Sequence, residues 1–459
     1  MSDDLETARA AFIEASFWYG PLDQANAILA AHPEIASSDV HTAAILGDDV
    51  AVRRFLSADP SLATAKAGPR RVDALTHLCF SRYLAHDSSR SDGFVRAATA
   101  LLDAGASPNT GFYDDTHTPR PEWESPLYGA AGVAHHAGVT RLLLERGADP
   151  NDGEVPYHSP ETFQNDAFRV LLESGKLNGD SLNTMLLRKT DWHDLEGVRL
   201  ALDHGADANQ ITHWGKTALH NAILSDNRLG IIELLLDRGA DPTIMAGDLR
   251  HGGEFRAGRS SISLAARRGR ADVLAAIEKR GFPLALEGVD ALIAACARGD
   301  SAAARAIAAR SPDLASELTA EGGTLIAEFA GTGNAAGIDL LLDLGVPVGA
   351  LYGGDPYFGI AKDSTALHVA AWRASHEALE ALIARGADVN ARDGKDRTPL
   401  MLAVKACVDS YWAERRSPRS VRALLGAGAQ TLGVAYPSGY SEVDALLEPY
   451  FGGVDRRER

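Results

Sequence analysis

The chain has 459 residues, 45% of them hydrophobic, and a formal net charge of −17. That is ample apolar material for a folded protein, and the acidic balance argues against a nucleic-acid backbone as the main partner, since phosphate binding needs a basic surface. No apolar run approaches the ~20 residues of a membrane span.

The N-terminus, MSDDLETARAAF, lacks the apolar stretch of a signal peptide. Cys79, Cys296 and Cys407 stand too far apart for a disulfide framework or a zinc site. Both observations point to a reducing, cytoplasmic setting. Residues 5–35 read as a worn helix pair, with Phe12, Ile13, Phe17 and Trp18 in one helix and Ala27, Ile28 and Leu29 in the next. Residues 38–66 repeat it, with His41, Ala43 and Ala44 followed by Val52, Phe55 and Leu56. Both pairs close on a segment of one type, His32 to Ala36 and Asp59 to Ala63, which returns at Ser311 to Ala315 and predicts a variant turn. The third pair, 70–109, ends on GASPN at Gly105 to Asn109, and the fourth, 125–151, on GADPN. The fifth, 155–179, lacks a clear first helix after Pro160, and the sixth, 181–209, ends on GADAN.

The clearest pair is 217–243. Thr217 can cap a helix with its hydroxyl, and Leu219, Ala222 and Ile223 then lie on one face. Ile231, Ile232, Leu234, Leu235 and Leu236 form a greasier second helix, and Gly239 stands just after it, where positive φ is wanted. Asp241-Pro242 turns the chain away. Two short helices cannot bury such a stripe alone, so the unit needs copies of itself as neighbours. Further pairs follow near 260–285, 289–316, 323–348, 364–390 and 397–430, with a capping helix expected at 441–450 and a fraying tail at 451–459.

The helix start TALH at Thr217 to His220 recurs unchanged at Thr365 to His368, with SPLY at 125–128, VPYH at 155–158 and TPLM at 398–401 as degenerate forms. Together with the glycine turns and a period of ~33 residues, these motifs resemble those of the ankyrin-repeat family. The resemblance implies an all-α solenoid of about twelve helix–turn–helix units with β-hairpin-like fingers. It extends over 1–450 as one array, best formed at 125–151, 181–209, 217–243 and 364–390. It also implies that the Thr and His of each motif brace their turn, which makes His220, His368 and His158 structural. The function that goes with it is recognition of another protein.

Three finger connections are unusually long, 110–124, 243–258 and 349–363, and a fourth insertion, 408–418, separates two helices. The fingers concentrate rings in a chain that is only 7% aromatic: Phe112, Tyr113 and Trp123, then His251 and Phe255, then Tyr352, Tyr357 and Phe358. Trp214 sits on a finger of ordinary length. Aromatic anchors dominate binding hot spots, which makes these nine the candidate partner-binding residues. The alternative is that each ring folds under its own loop as a satellite core. Asp114, Asp115, Glu122, Glu124, Asp248, Glu254 and Asp355 accompany them, and a mixed acidic and aromatic groove suits an unidentified protein or peptide with a basic patch. Two competing expectations are a ligand sensor or enzyme with a small-molecule pocket under a long finger, and a self-associating scaffold.

Catalytic signals are weak. GTGNAAG at Gly331 to Gly337 follows a helix rather than a strand, so it reads as an inter-helix turn and not a nucleotide loop. His135 and His136 point about 100° apart on a helix, with no further ligand at metal spacing, and are expected to face solvent. Asp191, His193 and Asp194 are expected in a surface turn without a nucleophile. The expectation is therefore no enzyme, no metal and no cofactor.

Overall fold

A computed structural model describes residues 3–116, 118–247 and 258–451. They fall into two compact units, one built on Met1–Ala240 and the other on Asp241–Asp248 with Gly252–Arg459. Both are stacks of helix pairs, and among the described residues the only strands form two short antiparallel hairpins.

Many of the pairs are started by a cap that their own sequence supplies. Asp39 accepts the backbone N–H of Thr42 at 2.8 Å, Asp73 that of Thr76 at 2.9 Å, and Asn178 that of Ser181 at 2.8 Å. In the two TALH copies the cap is reciprocal. His220 Nδ1 accepts the Thr217 N–H at 3.2 Å and lies 2.8 Å from its hydroxyl, and His368 does the same for Thr365 at 3.1 and 2.9 Å. These boxes satisfy donors that a helix start would otherwise leave orphaned, so both histidines are structural. The second helices carry the apolar load: Ile231, Ile232, Leu234, Leu235 and Leu236 are all buried. Gly239 then takes φ +88°, which an L side chain rarely tolerates.

The asparagine that ends the glycine turn has a use the motif alone does not reveal. Asn109 donates to the Gly147 carbonyl at 3.0 Å and accepts the Asp149 N–H at 2.9 Å, both in the next turn of the series. Asn209 reaches the Gly239 carbonyl at 2.8 Å in the same way. First helices of successive pairs lie side by side, as Gly179–Asp191 does with Ala218–Leu224 and Gly322–Thr332 with Ala366–Trp372.

Several expectations need correction. The variant turns are helical: Pro33–Ser37 and Pro60–Ala63 are 3₁₀ turns and Asp313–Ala320 is an α-helix. The fifth pair has no first helix after Pro160, as expected, but a short one, Glu154–His158, stands before it. The helix expected at 441–450 is present, as Ser441–Phe451.

The first and third long fingers, 110–124 and 349–363, fold back over the first helices instead of standing clear of them. In unit one, Phe112–Asp114 pairs with Glu122–Glu124, placing Phe112 opposite Glu124. The Phe112 ring lies 5.6 Å from Phe17, 5.7 Å from Trp18 and 5.4 Å from Phe80. In unit two, Leu351–Tyr352 pairs with Ser364–Thr365, and Tyr352 and Ile360 pack on Ala327 and Val369 of the first helices. Farther along that insertion the Phe358 carbonyl accepts the Trp372 indole N–H at 2.7 Å. There the insertion meets the 408–418 segment, and the Arg373 guanidinium lies 4.0 Å from both the Phe358 and the Trp412 ring centroids. Burying the cation between two π faces seats both loops at the end of one helix.

Unit one also buries a histidine pair, with Nδ1 of His41 3.1 Å from Nδ1 of His77. Burial and then the neighbouring His41 push the His77 imidazole down to about 3, and burial lowers His41 as well. The unfolded chain therefore takes up protons first, near pH ~6.5. The stability these neutral rings contribute is complete above that value and is lost as pH falls toward 3. We expect the melting temperature to drop between pH 6 and 4.5 while the His77 ring ¹⁵N shifts stay those of a neutral imidazole. A His77 that titrates near its ordinary value would contradict this arrangement.

Candidate partner-binding site

The structure splits the nine candidate rings by burial. Phe112 and Tyr352 face inward and are buried. Trp123, Trp214 and Phe358 are half-buried. Tyr113 and Tyr357 are exposed, each edge-on to a neighbour, Tyr113 to Trp123 at 4.9 Å and Tyr357 to Phe358 at 4.8 Å. His251 and Phe255 lie outside the described residues, as do Asp248, Glu254 and the tail beyond Phe451.

In unit one the rings join into a continuous line over the first helices. Trp214 meets Tyr157 at 5.9 Å, Tyr157 meets His158 at 4.8 Å, and His158 meets Tyr128 at 5.1 Å. Tyr128 then meets Trp18 at 6.2 Å, and Trp18 stacks on the exposed Tyr19 at 5.2 Å. Acids flank this line. Glu124 ends the hairpin strand and is followed by Ser125, whose hydroxyl caps the helix Pro126–Tyr128. Glu154 opens the helix Glu154–His158, and Glu161 follows its end.

His158 occupies the motif position of His220 but has a different role. Its Nε2 is 3.2 Å from Glu154 and its Nδ1 3.0 Å from Glu161. Burial alone would lower this imidazole, but the hydrogen bonds to the two carboxylates outweigh it and raise it to about 9. His158 is thus a cation at neutral pH. Arg188 adds a second positive group, paired with Glu161 and, at 2.6 Å, with Asp191, and its guanidinium stacks 4.1 Å from the Tyr157 centroid. The sequence did hold a signal: VPYH has Val155 where the intact motif has threonine, so its histidine has no capping partner and must seek others. Glu154, Glu161, Tyr157 and Arg188 had no such marker.

The groups that imitate catalytic clusters are committed elsewhere. His136 caps a helix by accepting the Val139 N–H at 3.1 Å and contacts Ser91 at 2.7 Å, while His135 Nδ1 lies 3.0 Å from the Ala131 carbonyl. Both are half-buried, not solvent-facing, because they wedge into the turn between packed helices. Asp194 is buried rather than in a surface turn, as it caps the following helix and pairs with the fully buried Lys189 at 2.9 Å. GTGNAAG forms an inter-helix turn, with Gly333 at φ +82° and Asn334 capping Gly337. Among the described residues no three His, Cys, Asp or Glu side chains are placed to hold a metal ion, and no helix is long and apolar enough to cross a membrane.

A family profile described as ankyrin repeats (three copies) matches residues 164–246, and one described as ankyrin repeat matches 362–394. These are the stretches where the capped helix pairs and glycine turns are best kept. The chain is an ankyrin-repeat protein. Its fold is the all-α stack of that family, and ankyrin repeats are generally protein–protein interaction modules. A curated relative, an L-asparaginase of Dirofilaria immitis, is 27% identical over 183 residues, covering 37% of this ankyrin-repeat chain and 28% of that protein. The chain therefore spans little more than a quarter of that relative's length. Two solved structures also align. The human ASB11 ankyrin repeat domain is 23% identical with a TM-score of 0.39, covering 53% of this chain and 98% of the other. The ankyrin repeat domain of Bcl-3 is 22% identical with a TM-score of 0.23, covering 52% and 97%. Neither superposition is close enough to bear on function.

Proposed function

We propose that this ankyrin-repeat protein binds a basic protein segment across the first helices and folded-back finger of unit one. The observation that carries the reading is the line of rings from Trp214 to Tyr19 with Glu124, Glu154 and Glu161 beside it. Rings fixed by their neighbours and half-buried, as Trp214, Tyr157 and His158 are, lose little freedom when covered, which favours binding. The Glu154 and Glu161 carboxylates beside them favour a partner of opposite charge and speed its approach. In unit two, Tyr357 and Phe358 form a smaller surface of the same kind, with Asp355 on the same insertion. Three free and buried cysteines suit a reducing, cytoplasmic setting. We assign the chain no catalytic step.

The test is capture of a partner from the native host's lysate by wild type and by the combined variant Tyr113→Ala, Trp123→Ala and Trp214→Ala. Removal of central aromatic anchors costs about 2 kcal/mol or more each, so the captured protein should be lost at unchanged helical content. A partner retained at full strength by the folded variant would place its site elsewhere.

A further inference from the structure

Among the described residues, Glu124 is the carboxylate whose two oxygens are both buried without a hydrogen-bond partner. Its side chain is wholly inaccessible, although it stands at the end of a surface hairpin. The groups around it do not answer its charge. Asp114 and Glu122 come from its own hairpin, Glu154 and His158 from the next first helix, and Tyr128 from the helix it precedes. The nearby cation, His158, is already shared between Glu154 and Glu161. Burial first, and then the Glu154 and Asp114 carboxylates, push Glu124 up to about 8. The acid therefore holds a proton at neutral pH, and that proton has no acceptor within hydrogen-bond reach.

A carboxylate buried among other acids, with both oxygens unused, is stable only with a cation from outside or a proton. We propose that Glu124 forms the floor of a socket for an arginine side chain of the basic partner. This deepens the function proposed above and rests on it. Two unpartnered oxygens of one carboxylate match the two parallel N–H donors of a guanidinium, which a lysine ammonium cannot reproduce. The adjoining rings add to the fit. Tyr128 lies near the acid and shares a hydrogen bond with the exposed Tyr19, and an arginine stem and plane pack well against such faces. Entry of the guanidinium expels the carboxyl proton to the buffer and leaves an ion pair, so charge and atoms balance.

The experiment is titration calorimetry of the full chain near pH 7 with acetylated hexa-arginine amide and hexalysine amide, each in two buffers of different ionisation enthalpy. Hexa-arginine should bind wild type about tenfold more tightly than hexalysine and release up to one proton per peptide. The isosteric variant Glu124→Gln should lose about tenfold in hexa-arginine affinity and all of the proton release, while Glu442→Gln, an exposed acid of unit two, should behave as wild type. A thermal melt confirms that each variant is folded, and Glu124→Asp, which keeps the carboxyl group, should retain part of the proton release. If hexa-arginine binds wild type and Glu124→Gln alike, the socket is wrong while the acidic face still stands. If it binds neither, the basic-partner reading falls with the socket.

Discussion

Replacing Phe80 with alanine should destabilise unit one by about 3–5 kcal/mol, at the upper end of what one core residue delivers. The ring is fully buried, with centroids 5.3 Å from Phe17, 5.5 Å from Trp18, 5.4 Å from Phe112 and 5.6 Å from Tyr128. Four large rings around one vacancy cannot all close in, so most of the cavity would persist. Its backbone is also committed, because the Phe80 carbonyl accepts the Trp18 N–H at 2.8 Å and ties the first helix pair to the third. Phe112 would lose its seat, and with it the hairpin that carries Glu124. The urea midpoint of unit one measures the stability loss, and hydrogen exchange at Phe112 to Asp114 reports the loosened hairpin. A cost below about 1 kcal/mol would mean that the cluster repacks freely, contrary to the tight interior described.

Lys189 should be the second expensive position. Its ammonium is fully buried, donates to the Thr162 carbonyl at 2.7 Å and to Asp194 at 2.9 Å, and lies 4.7 Å from the Phe168 ring centre. One side chain thus joins the helix Gly179–Asp191 to the turn of the preceding pair and to the cap of the following helix. Lys189→Ala leaves Asp194 buried with only the Asn165 and Gly197 N–H donors, at 2.9 and 3.0 Å. Removing one partner of such a pair costs about 3–5 kcal/mol. Much of this is the stranded charge, so Lys189→Met with Asp194→Asn should recover part of the loss in a double-mutant cycle of urea midpoints. Strict additivity of the two changes would show that the pair does not act as a unit.

The repeats were legible because their signals are local. A threonine three residues before a histidine, or a glycine after a leucine run, acts within one turn of chain, and Thr217, His220, Thr365, His368 and Gly239 behave as their motifs imply. The fingers were not, because their seats lie far away in sequence: Phe112 rests on Phe17 and Phe80, and Phe358 on Arg373 and Trp412. Parity along a strand does separate Phe112 from Tyr113, since adjacent side chains point to opposite faces. Which face was inward depended on rings from other pairs. Asp194 misled for a related reason, as a turn that looks polar is buried when the lysine five positions earlier turns in beneath it.

The way the two insertions are anchored also sets an order of events during synthesis. Everything that Phe112 rests on, from Phe17 to Phe80, leaves the ribosome before it does, so the first hairpin can close as it emerges. Phe358 has only part of its seat at that moment, because Arg373 and Trp412 are still to be made. Domains and repeats fold as units from the N-terminal side during translation. The first face is therefore finished early, whereas the second stays open until the chain has grown past Trp412. A nascent chain stalled before that residue would display its tyrosine and phenylalanine to chaperones.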